Sequence, residues 1–104
     1  MRKLTIKRKW SIIECASKIY LFVQCSEEEG KHKFGDVNFK EVDLLKNGKT
    51  LTVDIWDEET AVLVMSSTMQ ATFVVPAGTE DVSLLAVPKY NPMQGNPFII
   101  SEIK

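Results

Sequence analysis

The side chains able to carry covalent, metal or acid–base chemistry are few: Cys15, Cys25, His32, and two groups of acids at Glu27–Glu29 and Asp54–Glu59. Cys15 and Cys25 could form a disulfide, a redox pair or half a metal site. A structural zinc takes about four ligands, and only His32 lies near these two, with no C-x-x-C spacing. Cysteine in a cytosolic chain is usually a small buried hydrophobe, so both are read as reduced and structural. His32 stands between Lys31 and Lys33 in a charged stretch. A catalytic histidine needs an orienting carboxylate and a reacting partner, and the sequence assigns neither. Asp54, Asp57, Glu58 and Glu59 could converge on Ca²⁺, but the loop pattern with its glycine is missing, so they read as a polar hairpin tip. Glu27-Glu28-Glu29 reads as a solvated loop. The chain contains no G-x-S-x-G, Walker loop, H-E-x-x-H or dinucleotide fingerprint.

Two places remain that could bind rather than react. Tyr90-Asn91-Pro92-Met93-Gln94-Gly95-Asn96-Pro97 sets amide side chains beside an aromatic, as a neutral sugar or peptide binder would at a sandwich end. Its prolines and glycine equally suit a rigid crossover. Trp10 beside Arg8 and Lys9 could act as an aromatic platform on an anionic contact surface. The candidate binding residues are therefore Trp10, Tyr90, Asn91, Gln94 and Asn96. No catalytic residue, metal ligand or cofactor is assigned.

The elements that must position these residues are strands. Leu51, Val53 and Ile55 alternate with Thr50, Thr52 and Asp54, giving one apolar and one wet face. Asn47-Gly48 ahead of them accepts the positive φ of a type I′ turn and predicts a hairpin with the strand Val37–Leu45. Leu4–Trp10 alternates too, with Leu4, Ile6, Arg8 and Trp10 on one face and Thr5, Lys7 and Lys9 on the other. Its lysines suit an edge strand guarded against pairing with other chains. Lys18–Gln24 is apolar on both faces, so it is central and covered on both sides, or else Tyr20 and Phe22 face a partner. Further strands are expected at 61–65, an interior one, and at 71–75, 82–87 and 98–103. Residues 26–35 read as a loop, and 11–17 or 66–70 could hold one short helical turn. About seven or eight short strands with regular turns predict an all-β, antiparallel sandwich.

Length and charge agree with one domain over residues 1–104. A 44% apolar composition builds a core without metal or disulfide staples. The net charge of −1 argues against a whole-protein nucleic-acid or membrane-surface binder. It is unevenly spread: residues 1–18 hold six Lys/Arg against one Glu. No apolar run is long enough to cross a bilayer, and the start lacks a secretory pattern, so a cytoplasmic location is expected.

Leu45-Lys46-Asn47-Gly48-Lys49-Thr50-Leu51-Thr52-Val53, followed by Val75-Pro76-Ala77-Gly78-Thr79-Glu80-Asp81-Val82, resembles small bacterial β-sandwich modules of the PEGA type. Lys18–Val23 is similar to the strand that opens such modules. The likeness touches about a third of the chain and consists of turn chemistry. Pro76-Ala77-Gly78-Thr79 stands where the family has its namesake tetrad. The resemblance implies an Ig-like sandwich acting as a surface or binding domain without catalysis, and implies no ligand. The sequence thus leads to a non-catalytic binding or assembly module that self-associates or meets another protein through a strand edge. Its alternatives are a sugar or peptide binder using residues 89–97, a weak nucleic-acid contact through Arg8, Lys9, Trp10 and Lys18, and an enzyme with a diffuse site around His32 and the 54–59 acids.

Overall fold

In a computed structural model, which describes residues 1–10, 18–28, 30, 32–66, 70–88 and 98–103, period-two alternation folds into two facing sheets. The strands are β1 (Arg2–Arg8), β2 (Tyr20–Gln24), β3 (His32–Phe34), β4 (Val37–Leu44), β5 (Thr50–Ile55), β6 (Thr60–Met65), β7 (Gln70–Val75), β8 (Val82–Pro88) and β9 (Phe98–Glu102). The first sheet has the order β5-β1-β8-β9, the second β3-β4-β2-β6-β7. Nine strands stand where seven or eight were expected, and no helix occurs among the described residues. The all-β sandwich read from the sequence is the fold observed.

The core lies between the layers. Leu4, Ile6, Leu84 and Ala86 from the first sheet meet Leu21, Val23, Val62 and Val64 from the second. Every second residue of these strands faces inward, so one alternating stripe per strand supplies the contact. Strand β2 is central, between β4 and β6, as its two apolar faces require. Its outward face has its own cover. Phe22, Phe39 and Leu63 are buried in a second cluster with Tyr20, Phe34 and Met65 around them. Phe34 stands edge-on to both Phe22 and Phe39, a favoured aromatic arrangement.

Several expectations give way. Strand β1 is no edge: it pairs antiparallel with β5 and parallel with β8. Lys3 and Lys7 lie on the solvent face of that interior strand, Lys3 opposite Asp54. Alternation alone reports which face is wet; it does not report whether a strand has one neighbour or two.

Asn47-Gly48 does not close a hairpin. Gly48 has φ +74° and the Lys49 amide donates to the Lys46 carbonyl, so the turn forms. Yet β4 and β5 lie in different sheets, and the turn carries the chain from one layer to the other. Leu45, expected inside the strand, is instead the last residue before the crossing. It is fully buried, and its amide donates to the Ile19 carbonyl. Asp57–Glu59 likewise crosses between layers, from β5 to β6, and is no hairpin tip.

The tight hairpin is elsewhere. Phe34 pairs with Val37, leaving Gly35-Asp36 as a two-residue loop with Gly35 at φ +65°. A glycine in the first central position suits a hairpin turn. It makes β3 out of part of the stretch read as loop. The short helical turn considered at 11–17 lies outside the described residues; of 66–70, Gln70 already belongs to β7.

Candidate binding surfaces at the two ends

The turns gather at the two ends of the sandwich, and the ends differ in chemistry. At one end β1 runs out between its neighbours: the Arg8 amide donates to the Lys49 carbonyl and the Lys9 amide to the Ala86 carbonyl. Trp10 follows directly. Its indole rests on Gly48, where an added Cβ would come within 3.2 Å of Cδ1. Any other residue would crowd the ring and strain the left-handed backbone that glycine adopts freely. Trp10 stays 65% exposed, the most open aromatic side chain among the described residues.

Lys9, Lys18, Lys46 and Lys49 are exposed at the same end. They arrive from the end of β1, the entry to β2 and the β4–β5 turn, so the topology concentrates charge that the sequence scatters. Arg8 does not join them. It is 1% exposed, and its Nη1 donates to the Leu45 carbonyl beneath the surface. The surface role considered for Arg8 is thereby excluded, because it continues the inward stripe of Leu4 and Ile6.

Pro88 pairs with Phe98 just beyond the Ala86–Ile100 pair, so the 89–97 connection leaves from the Trp10 end. Tyr90, Asn91, Gln94 and Asn96 themselves lie outside the described residues.

The opposite end is acidic. Asp57, Glu58, Glu59, Glu80, Asp81 and Glu102 are exposed there. Arg2, 4% exposed, ties this end together. Its Nε donates to the Trp56 carbonyl at 2.8 Å, and Nη2 donates to the carbonyls of Glu58 at 3.1 Å and Pro76 at 2.7 Å. Nη1 faces Gly78, whose Cβ, were it present, would stand 3.3 Å away. The Gly78 amide donates to the Asp57 carbonyl and the Lys3 amide to Asp81 Oδ1. The β5–β6 and β7–β8 crossings are thus pinned to the start of β1. Above this clamp lies an open cleft of about 390 Å³, with Arg2, Pro76 and Val82 in its lining and Glu80, Asp81 and Glu102 around it.

The remaining candidates do not assemble. His32 is exposed on β3 with its ring edge-to-face with Phe22, the centroids 5.1 Å apart. Asp54 faces Lys3 across β1 and β5, whereas Asp57 lies 3.8 Å from the N-terminal ammonium. Among the described residues no group of three histidine, cysteine or acidic side chains could hold a metal ion. Cys25 is buried, its amide donating to the Asn38 carbonyl; Cys15 lies outside the described residues. Among the described residues no helix is long and apolar enough to cross a membrane.

Sequence reasoning missed the acidic cleft. Its carboxylates, Glu80, Asp81 and Glu102, come from two separate stretches, and only the sheet order brings them together. The one available signal was Arg2 in the stripe Arg2-Leu4-Ile6-Arg8, which places a guanidinium at each end of an inward face.

Comparison with known protein families, characterised proteins and solved structures finds no match to this chain.

Proposed function

We propose that this chain is a small cytoplasmic binding or assembly module without catalytic activity, working through the Trp10 end. The observation that carries the reading is an indole held open to solvent on a glycine, at an end that carries four exposed lysines. Tryptophan is enriched where binding energy concentrates. The glycine seat fixes the ring without further side-chain ordering, which lowers the entropic cost of docking. The strand ends flanking residues 89–97 open on the same end, so Tyr90, Asn91, Gln94 and Asn96 are the candidates to extend this surface. The resemblance of its turns to those of PEGA-type modules leans toward a binding role as well.

Trp10 emission tests the reading. A shift and quench should accompany binding, with the Trp56→Phe variant used to isolate the signal, and Trp10→Ala should abolish binding while leaving the urea midpoint unchanged. If Trp10 emission is unmoved by added protein, by oligosaccharides and by oligonucleotides alike, the Trp10 end is not a binding surface.

The lysines favour a second reading, contact with single-stranded nucleic acid. Bases stack on indole while lysines neutralise phosphates. Affinity for an oligonucleotide would then fall steeply with salt, because each neutralised phosphate releases counterions. A salt-independent or absent interaction removes this reading.

A further inference from the structure

We infer that the module assembles head to tail: the Trp10 end of one copy docks in the acidic cleft of the next. The inference rests on the Trp10 end being a binding surface and names its partner as a second copy of this chain.

The two ends are complementary in charge and in shape. The knob is Trp10, 65% exposed, with Lys9, Lys46 and Lys49 exposed around it. The socket is the cleft of about 390 Å³ with Glu80, Asp81 and Glu102 around it. That volume lies toward the low end of small-ligand pockets, roughly 300–1,000 Å³, and is ample for one bicyclic side chain. Pro76 and Ala77 are exposed in its lining and supply apolar surface. Lysines that flank the indole would then reach the carboxylates that flank the cleft. Charge complementarity of this kind steers encounter and fixes orientation.

The geometry sets the symmetry. Knob and socket lie at opposite ends of β1, about 20 Å apart by strand rise. One contact therefore uses two different patches, and it leaves a free knob and a free socket at the ends of each pair. Such heterologous contacts build open chains or rings, never a closed two-fold dimer. A single aromatic with a ring of exposed ion pairs makes a small interface, so assembly should be weak and salt-sensitive.

Sedimentation across micromolar to millimolar protein tests this, at low and high NaCl. The weight-average mass should rise past that of a dimer as concentration grows and fall back on adding salt. Trp10→Ala lacks the knob, and Glu80→Lys with Glu102→Lys lacks the socket; each alone should be monomeric. All three positions are exposed or half-open, and an unchanged urea midpoint verifies that each variant is folded. Mixed together, the two variants should form one-to-one pairs and nothing longer, because one intact knob meets one intact socket.

A wild-type protein that stays monomeric throughout overturns the inference, as do oligomers that ignore both sets of substitutions, or a mixture that does not pair. The binding reading itself is separable: a monomeric protein whose Trp10 emission still responds to an oligonucleotide or oligosaccharide loses the self-assembly and keeps the module. A monomer whose Trp10 responds to nothing loses both.

Discussion

Two arginines and a glycine decide how the ends of this sandwich are built. Arg2 carries three hydrogen bonds to main-chain carbonyls from two different crossings, and it does so from a nearly fully buried position. A guanidinium suits this role because its planar fork reaches several acceptors at once. A lysine ammonium in the same place has a shorter reach and no fork. Arg2→Met should therefore cost roughly 2–4 kcal/mol, since bonds from a charged donor contribute about 1.5–3 kcal/mol each and water will partly replace them. Arg2→Lys should recover little of that, and urea unfolding of both variants checks the pair; equal midpoints for Arg2→Lys and wild type would mean that charge alone suffices. Gly48 works differently. Its φ of +74° and the indole 3.2 Å from a notional Cβ give Gly48→Ala two separate penalties. Left-handed backbone alone costs an alanine about 1–2 kcal/mol. The indole must also shift, so Trp10 emission should change even where the protein remains folded; an unaltered spectrum would mean that the ring is not seated on the turn.

At the scale of elements, the outward face of the second sheet behaves as a second core. Phe22 is 3% exposed there, whereas Val74, on the same face at the edge strand β7, is 50% exposed. Phe22→Ala should destabilise by about 3–5 kcal/mol, as for any buried phenylalanine, while Val74→Ala should stay within about 0.5 kcal/mol. Similar small effects for both would show the Phe22 cluster to be loosely packed. Hydrogen exchange should rank β1 amides, bonded to β5 and β8, well above those of β3 at the sheet edge. That ranking reverses what lysine alternation in β1 leads one to expect. Strand faces were legible in the sequence because side-chain period is a local property: Leu51, Val53 and Ile55 point where their spacing says. Strand partners were not, because pairing is decided by residues far away in the chain. Asn47-Gly48 shows the limit clearly. The dipeptide specifies a tight turn, and a turn with Gly48 in the left-handed region is there; whether the flanking strands then pair or part depends on β1 and β2, which claim β5 and β4 first. The candidate site divides the same way. Trp10 and its neighbouring lysine were visible as adjacent residues, whereas the cleft needed residues 2, 76, 80 and 102 to meet.

For the whole molecule, a net charge of −1 describes neither end. Lys9, Lys18, Lys46 and Lys49 crowd one end, and Asp57, Glu58, Glu59, Glu80, Asp81 and Glu102 the other. The ends are about 20 Å apart along β1, some two Debye lengths at 0.1 M salt, so each presents its own field and hardly feels the other. An evenly mixed surface of the same net charge would bind neither a cationic nor an anionic matrix near neutral pH. This chain should be retained by both at low ionic strength, on opposite ends, and released from both as salt rises. Lys9→Glu with Lys49→Glu should remove retention on the sulfonate matrix alone, and Glu80→Lys with Glu102→Lys should weaken retention on the quaternary amine alone. Stability should move the other way: like charges repel within each end, so moderate NaCl should raise the urea midpoint slightly while it dissolves any assembly. A midpoint that falls with salt as the oligomers dissociate would mean that contacts between copies, rather than each sandwich alone, supply part of the measured stability.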